Sequence, residues 1–348
     1  MTRPLITFGM ATYKEASNTR STVMSLRLQL RKLLPVSAYQ IVCINNAPND
    51  IESTLKLDHL FKRIPNGKLI NYGDRVSTAV RDLVFTHSDS LFTFCMDCHV
   101  LLDEDGVKSL IKYLQANPDC RDLMQGMLWL DDLRTRYTHM NPVWQEKMYG
   151  VWGFDKQGNG HEPFEIPMHG LGLFGCATDV WPGINKLFTG FGGEEGYVHD
   201  KFRAVGQKTL CLPWLGWVHE FRKPGKSPIV NRLDDRIYNY YIARRELLKT
   251  DDDVTEHFCK FLKEDKVLAV RQRALSDFEL TFGANKDTTK PTSVELLAAA
   301  EHLANTVAAL PQASRNVLLS TLSKQSPEMA SAVRERLADM RAVASGAG

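Results

Sequence analysis

The sequence predicts an α/β fold, in which an open, mostly parallel sheet is flanked by helices and followed by a small C-terminal all-helical module. Strand and helix patterns alternate over the first 117 residues. Strands that are separated by helices pair in parallel through right-handed crossovers. The 348 residues, of which 43% are hydrophobic and 24% charged, are enough to bury a substantial core.

Each predicted element follows from the spacing of its apolar residues or from its end signals. Strands are predicted at 5–11, 39–45, 68–72 and 91–97, and helices at 17–34, 75–87 and 105–117. The run at 91–97 does not alternate strictly, which predicts a central strand covered on both faces. Ligands bind beyond the C-terminal ends of such strands, so we expect the functional site there.

Two candidate metal ligands follow this central strand. Alternate residues of an extended chain share a face, so Asp97 and His99 project together while Cys98 turns away. A carboxylate and an imidazole aimed at one point suit a divalent metal ion. In the alternative interpretation Asp97 caps a helix or turn and His99 is a surface histidine.

Cysteine usage, charge and motifs narrow the class. The seven cysteines are scattered, as expected of reduced thiols, and the Cys95/Cys98 pair lacks the second ligand pair of a zinc site. The net charge of +2 excludes a polycation. Neither GxGxxG nor a P-loop follows the first strand. No apolar run reaches the roughly 18 residues of a membrane span, and a signal-peptide core is missing. We therefore expect a cytoplasmic protein with no membrane contact.

The second half of the chain adds candidate acids and a third candidate ligand. Glu194 and Glu195 follow a Gly-Gly turn and begin a helical pattern. They either complement the helix dipole or place a carboxylate at a cleft, where it is suited to general-base work. His219 ends an apolar, strand-like run. Taken alone, it would more often be a structural histidine.

An irregular, aromatic stretch at 129–170 precedes these residues. For its aromatic side chains two roles are open, buried loop anchors or the lining of an acceptor groove. The candidates are Trp129, Trp144, Trp152 and Phe154.

The order of the short motifs resembles the GT-A nucleotide-sugar glycosyltransferases. TYKE, NNAP and MDCH follow strands, and GLGLFG, GFGGEEGYVHDKFRAVG and WVHEFR come later in the same order. The resemblance covers roughly residues 3–225 and is closest to family 2 and the polypeptide N-acetylgalactosaminyltransferase-like branch. In those enzymes an Asp-x-Asp or Asp-x-His motif and a distant histidine form a metal site.

Matched position by position, the resemblance implies Mn2+ or Mg2+ bound by Asp97, His99 and His219. Two nitrogens and one carboxylate suit Mn2+ better than Mg2+, which prefers oxygen. The metal would act as a Lewis acid on the diphosphate that leaves. The resemblance further implies that a nucleotide sugar, expected to be a UDP sugar, is bound by Thr12, Tyr13, Glu15, Asn45, Arg75, Asp97, Gly172, Gly175 and Arg222.

The pair Glu194-Glu195 matches the acidic pair of the family. In inverting family-2 enzymes the second acid deprotonates the acceptor hydroxyl, which implies that Glu195 is the base. In the retaining branch the first acid shapes the sugar site, which implies that role for Glu194. The sequence carries features of both branches, so the stereochemistry stays open. Asn45-Asn46 stands where the family usually has an aspartate near uracil, which also leaves the nucleotide base open.

The acceptor is inferred from the segment 222–249. It holds eight Lys or Arg against three Asp or Glu, with Tyr238, Tyr240 and Tyr241 interleaved. Such a strip suits a polyanion, because phosphate neutralisation drives nucleic-acid affinity; a solvated helix face with structural tyrosines is the alternative. The motif order also resembles phage-type enzymes that glycosylate hydroxymethylated DNA bases. DNA is therefore the leading expectation for the acceptor, in a host cytoplasm if the protein is phage-encoded.

Other acceptors and other classes stay open. A glycan, polysaccharide or polypeptide acceptor fits the same donor site. A nucleotidyltransferase shares the sheet and the metal site but usually shows a Gly-rich basic signature near the N-terminus, which TFGMATYKE lacks. A non-catalytic nucleotide-sugar-binding protein would keep the fold but lose the catalytic acids, and the presence of Glu194-Glu195 argues against this class.

Three domains are expected: a GT-A glycosyltransferase domain at 1–225, a basic and aromatic helical extension at 226–285, and a C-terminal helical module at 286–348. In the module, a capping box at 292–295 opens the first helix, and Ser326-Pro327-Glu328 opens the last. The module carries no visible chemistry. Packing, homo-oligomerisation or substrate clamping is its expected role.

Overall fold

The computed structural model describes residues 3–220, 231–283 and 327–344 and the single positions 304, 315, 319 and 322. Its strands are β1 (Ile6–Thr12), β2 (Tyr39–Asn45), β3 (Gly67–Asn71), β4 (Phe92–Asp97), β5 (Val100–Leu102), β6 (Leu123–Trp129), β7 (Arg136–Tyr137), β8 (His139–Gln145), β9 (Met148–Gly153), β10 (Phe164–Glu165), β11 (Leu173–Ala177) and β12 (Thr209–His219). Its α-helices are α1 (Ala16–Leu33), α2 (Ile51–Phe61), α3 (Asp82–Thr86), α4 (Glu104–Ala116), α5 (Glu195–Ala204), α6 (Leu233–Glu246), α7 (Asp252–Phe258), α8 (Glu264–Phe282) and α9 (Pro327–Ala344).

Ten strands of the described part of the chain form one sheet. The order across it is β10-β12-β6-β11-β4-β1-β2-β3, with β5 beside β12 and β7 beside β6. β4, β1, β2 and β3 are parallel, as are β6 and β12, whereas β11 runs antiparallel to β4 and β6. The predicted α/β fold with a mostly parallel, helix-flanked sheet is confirmed. β8 and β9 form a separate hairpin.

Two hydrophobic clusters cover the two faces of the sheet. On one face, residues such as Phe8 and Phe94 pack with α1 and α4, which contribute Leu26 and Leu110 among others. On the other face, Val42, Ile44 and Phe174 share a cluster with residues of α5, α6, α7 and α8. The central strand β4 is buried from Phe92 to Met96. Coverage on both faces explains why its sequence does not alternate.

The predicted helix at 75–87 is wrong in its first half. Residues 78–81 form a 3-10 turn, and only α3 is α-helical. Tertiary contacts account for the difference. The hydroxyl of Ser77 donates to the carbonyl of Phe188 at 2.6 Å, and the N–H of Thr78 donates to Gly190 at 3.1 Å. These bonds hold the segment extended against a distant loop until Ser77 caps the 3-10 turn by accepting from the N–H of Ala79.

The other predicted elements lie within one residue of the observed ones, and α9 begins at Pro327, inside the predicted helix start. α2 was not among the predicted elements. Its N-cap is Asp50, which accepts from the N–H of Ser53, and it buries Leu57, Leu60 and Phe61. Within the described ranges, no helix has both the length and the apolarity that crossing a bilayer requires.

Candidate active site

A cavity of about 540 Å³ lies beyond the C-terminal ends of β1, β4 and β12. The strand ends converge here because β1 and β4 are parallel neighbours, paired from Ile6/Phe92 to Ala11/Asp97. Most of the predicted site residues that the structure describes line this cavity, namely Thr12, Tyr13, Glu15, Asp97, His99, Gly172, Glu194, Glu195 and His219.

Three further predicted site residues do not line the cavity. Asn45 is fully buried and its side-chain amide donates to Thr54 and Asn71, so it fixes the end of β2. Asn46, the next residue, lines the cavity instead. Gly175 lies within β11, where an added Cβ would stand 2.4 Å from the ring of Phe94.

Arg75 is exposed, and its guanidinium donates to the carbonyl of Phe188 at 3.4 Å. The predicted contact of Arg75 with the nucleotide therefore has no counterpart in the cavity lining. Arg222 lies outside the described residues.

Asp97, His99 and His219 come together at the base of the cavity. Asp97 ends β4 and His219 ends β12, and β5, which follows His99, pairs with β12 so that Val100 faces His219. The Nε2 atoms of the two imidazoles are 3.2 Å apart, and the Nε2 of His219 is 3.4 Å from the Oδ2 of Asp97. One ligand atom from each of the three residues lies within 4.8 Å of the others.

This donor set fits a first-row divalent metal ion. Two nitrogens bound at about 2.1 Å to one ion stand about 3 Å apart when they are adjacent. The 3.2 Å between the two Nε2 atoms is close to that spacing. Imidazole nitrogens and a carboxylate oxygen together suit Mn2+ better than Mg2+, which prefers oxygen ligands throughout.

Arg81 joins the candidate metal ligands to the candidate acids. Its guanidinium is only 8% exposed and donates to Asp97 Oδ1 at 3.0 Å and to Glu194 Oε1 at 3.2 Å. Burial by itself raises the pKa of Asp97, but the charges of Arg81, His219 and His99 outweigh it. The pKa of Asp97 therefore lies well below its usual range. Asp97 is therefore ionised at neutral pH, as a carboxylate that binds a metal ion must be.

Glu194 and Glu195 differ in their surroundings. Glu194 is 1% exposed, and burial, reinforced by the charge of Glu195 and partly offset by Arg81, raises the pKa of Glu194 to about 8. Its Oε2 atom accepts no hydrogen bond from any residue that the structure describes. Glu195 is half-buried and begins α5 at the cavity wall. Both acids line the cavity, and Glu195 is the more exposed of the two.

The loop before these acids needs its two glycines. Gly192 and Gly193 have φ angles of +99° and +94°, which other residues rarely adopt. Asn239 of α6 is fully buried and holds this loop through bonds from its amide to the carbonyls of Thr189 and Gly192, each 2.8 Å long. The turn that delivers the acids is therefore anchored to α6.

A buried histidine anchors the other end of the acidic pair. His199 of α5 contacts the carbonyl of Glu195 through Nδ1, and its Nε2 accepts from the N–H of His169 at 3.0 Å. Oε1 of Gln125, on β6, lies 2.5 Å from the same Nε2; both atoms are acceptors when the ring is neutral, so His169 is the donor to this nitrogen. Burial lowers the pKa of His199 to about 3, so the ring is neutral. These contacts fix the first turn of α5 against the sheet.

Sequence analysis missed Arg81 and His199. Arg81 carries a weak signal, because it lies three and four residues before Val84 and Phe85 and so faces the apolar side of the predicted helix. A charge on an apolar face indicates a buried ion pair. His199 has no comparable signal, since its partners are Gln125 and His169, more than 29 residues away.

The aromatic candidates divide between the two roles left open for them. Trp152 lines the cavity. Trp144 packs against rings of α6 and α7. Trp129 and Phe154 both lie beside the guanidinium of Arg136, at 5.3 and 5.0 Å from the ring centroids. Only Trp152 of these four contributes to the cavity wall.

The described part of the basic strip is mainly structural. The three tyrosines of α6 are buried, at 7% exposure or less. Of its cations, Arg244, Arg245 and Lys249 pair with Asp253, Glu279 and Asp200 respectively. Residues 221–230, which hold three more cations of the strip, lie outside the described residues.

Sequence comparison finds no match, either to a protein-family model or to a curated protein. Comparison of structures finds similarity to the crystal structure of GalNAc-T7 with UDP, GalNAc and Mn2+, with a TM-score of 0.57 and 14% identity. The match covers 83% of this chain and 58% of that one, so this chain spans little more than half the length of GalNAc-T7. The likeness supports the GT-A type fold that the motif order implied.

Two looser likenesses are to a mannosyltransferase and to TarS. PcManGT from Pyrobaculum calidifontis, in complex with GDP-Man and Mn2+, matches with a TM-score of 0.48 and 14% identity over 97% of this chain and 88% of that chain. S. aureus TarS 1–349, in complex with UDP-GlcNAc, matches with a TM-score of 0.44 and 10% identity over 97% of this chain and 91% of that chain.

Proposed function

We propose that this protein is a metal-dependent glycosyltransferase that moves a sugar from a nucleotide sugar to an acceptor hydroxyl. One observation carries the proposal. Asp97 at the end of β4, His99 in the turn after it and His219 at the end of β12 have ligand atoms within 4.8 Å of one another, in a cavity that Glu195 also lines. The cavity volume of about 540 Å³ is in the range of small-molecule sites.

In the proposed mechanism Asp97, His99 and His219 would hold Mn2+ or Mg2+. When bound, the ion supplies Lewis-acid stabilisation for the diphosphate leaving group. Arg81 keeps Asp97 ionised and turned toward the two histidines. Gly172 accepts the N–H of Asp97 at 2.9 Å, which fixes the backbone at the ligand. The nucleotide sugar then lies along Thr12, Tyr13 and Asn46 on the cavity wall.

Glu195 is the general base of this proposal. It takes the proton of the acceptor hydroxyl as that oxygen forms a bond to the anomeric carbon of the sugar. The bond from that carbon to the diphosphate oxygen breaks, and its electron pair leaves with the diphosphate. Glu194 is better suited to a fixed role beside the sugar, because it is buried and holds Arg81.

UDP sugars are the first donors to test. The GalNAc-T7 structure contains UDP, GalNAc and Mn2+, and the likeness of its fold to this chain is the reason for testing that donor class first. Asn46 extends the wall of the cavity beyond β2, and its amide donates to the carbonyls of Tyr72 and Arg75.

Hydroxymethylated DNA is one acceptor to test, alongside glycans and polypeptides. The motif order favours DNA, but the buried tyrosines and paired cations of α6 weaken the argument from the basic strip. The argument that the basic strip binds a polyanion now depends on Arg222, Lys223 and Lys226, which lie outside the described residues.

The decisive assay is transfer from, or hydrolysis of, UDP and GDP sugars with Mn2+, with Mg2+ and with EDTA. We expect turnover that EDTA abolishes and Mn2+ restores. Asp97→Asn should lose about 10²–10³-fold of that turnover, because an amide is a poor ligand for the ion that stabilises the leaving group. Asp119→Asn, at an exposed turn after α4, is the matched control. Absence of turnover with every donor contradicts the proposal.

The same assay separates the acceptors. Product formed only on hydroxymethylated DNA supports the hypothesis that the basic strip at 222–249 binds a DNA acceptor. Product formed only on an oligosaccharide or a peptide contradicts that hypothesis. The nucleotidyltransferase alternative predicts pyrophosphate release from a nucleoside triphosphate instead.

A further inference from the structure

We propose that Glu15 is a positioning residue for the metal site, whose carboxylate accepts the Nδ1–H of His99 and turns Nε2 of that ring toward the ion. The inference rests on the proposed function, since it concerns the same metal. It replaces the expectation that Glu15 contacts the nucleotide.

The Glu15 side chain does not cap the helix that it precedes. Glu15 occupies the N-cap position of α1, yet its carboxylate makes no capping hydrogen bond. Lys14, just before it, has a φ of +59°, a left-handed conformation that is unusual outside glycine. The chain thus bends sharply between β1 and α1, and the bend directs Glu15 inward. Such outliers cluster at functional sites.

The carboxylate is held where it meets His99. Its side chain is 10% exposed, and its Oε1 accepts from the amide of Asn18 at 3.1 Å and lies 3.4 Å from Nδ1 of His99. That separation is an ion-pair contact, longer than the charge-assisted hydrogen bond of about 2.8 Å that we assign to the metal-bound state.

The two nitrogens of His99 face opposite partners. Nδ1 faces Glu15, and Nε2 faces His219 at 3.2 Å. An ionised carboxylate only accepts hydrogen bonds, so the proton of a neutral ring must lie on Nδ1. The lone pair of Nε2 is then directed into the cluster of Asp97 and His219, as a metal ligand requires.

Cys98 is the other group near Nδ1, with its Sγ 3.6 Å away. Burial raises the pKa of the Cys98 thiol to about 12, so the group is neutral and a weak acceptor. The carboxylate of Glu15 is the stronger partner. A contact between carboxylate and imidazole that orients a metal-bound ring typically raises metal affinity 10–100-fold.

The test is Mn2+ binding to the full-length protein without any sugar nucleotide, measured from the EPR signal of free Mn2+. We expect Glu15→Ala to raise the apparent Kd about 10–100-fold, and Glu15→Gln, which keeps the size and an acceptor oxygen, to raise it less. Glu52→Gln, on the exposed face of α2, should bind Mn2+ like the wild type. Thermal unfolding of each variant checks that it is folded. If Glu15→Ala does not fold, the Mn2+ affinity of Glu15→Gln is compared with that of the wild type instead.

A second measurement separates the inference from the nucleotide-contact alternative. UDP affinity is measured at saturating Mn2+, where a residue that acts only through the metal no longer matters. Recovery of wild-type UDP affinity in Glu15→Ala supports the positioning role; a persistent defect overturns it. Equal Mn2+ affinity in the wild type and both Glu15 variants overturns the inference while leaving the proposed function standing. Failure of the wild type to bind Mn2+ overturns both.

Discussion

The guanidinium of Arg81 donates to Oδ1 of Asp97 at 3.0 Å, so the first candidate metal ligand is already paired with a buried cation. The opposite end of the same guanidinium reaches Glu194 at 3.2 Å. One cation thus lies between two carboxyl groups, and burial disfavours the ionised form of each. Arg81 holds the metal ligands and the acidic pair in one arrangement, although they come from different elements.

Replacement of Arg81 should destabilise the fold as well as the site. Arg81→Met fills the space but leaves the ionised Asp97 without its cation and Glu194 without its hydrogen-bond donor, which we expect to cost about 3–5 kcal/mol in the free energy of unfolding. Urea denaturation measures this cost. Arg121→Met, at an exposed ion pair with Asp179, is the control and should cost less than about 1 kcal/mol. Equal losses for the two variants contradict the structural role of Arg81.

The two adjacent acids should separate in rate assays. Glu195→Gln removes the proposed base and should lower kcat about 10²–10⁴-fold with little change in the KM for the donor. Glu194→Gln keeps the buried shape and the oxygen that faces Arg81, so its effect on kcat should be smaller. Single-turnover transfer at saturating donor gives the comparison. A larger loss in Glu194→Gln would reverse the assignment of the base.

Glu194 should also make stability depend on pH. Its pKa is about 8 in the folded protein against a usual value of 4.5, so the folded state binds the proton more tightly. The stability it contributes is complete below pH 4.5 and is lost as the pH rises through 8. Relative to Glu194→Gln, the unfolding free energy of the wild type should fall by up to about 1.4 kcal/mol per pH unit in this window. Urea denaturation of the two metal-free proteins at a series of pH values measures this fall. If the unfolding free energies of the wild type and Glu194→Gln change with pH in parallel, the prediction is contradicted.

Gly172 should tolerate no side chain. An added Cβ would stand 2.8 Å from two atoms of the Trp217 ring and 3.4 Å from Cδ2 of His219. Because the indole is buried, Gly172→Ala should displace the end of β12 and weaken Mn2+ binding more than it lowers the melting temperature. Gly283→Ala, which meets only a flexible glutamate, is the control. Unchanged Mn2+ affinity in Gly172→Ala would show that His219 does not depend on this packing.

Local sequence was sufficient for the elements and for the end of the central strand. The periodicity of apolar residues predicted β1, β2, β3 and β4 within one residue of their observed bounds. Alternation along an extended chain predicted that Asp97 and His99 face one point. Their ligand atoms do lie together, but β4 ends at Asp97 and His99 lies in the turn before β5, so the turn and not strand alternation brings them together. These features depend on spacing over a few residues, and such spacing is visible in one sequence.

Distant contacts decide the structure at two places where local pattern is not enough. The segment at 75–87 has a helical pattern, but bonds from Ser77 and Thr78 to the loop at 188–190 hold its first half extended. The resemblance places Asn45-Asn46 near the base of the nucleotide. Bonds to Thr54 and Asn71 hold the Asn45 side chain at the end of β2, and Asn46 lines the cavity.

What the sequence alone determined is the α/β fold, its strand ends and the residue types that gather there. Only the tertiary structure decided which of them touch: Arg81 with Asp97 and Glu194, Glu15 with His99, and His199 with the first turn of α5. Periodicity specifies the face on which a side chain lies. Side chains from separate elements meet only after the sheet has brought the ends of β1, β4 and β12 to one edge, and a pair such as Arg81 and Glu194 is 113 residues apart in the chain.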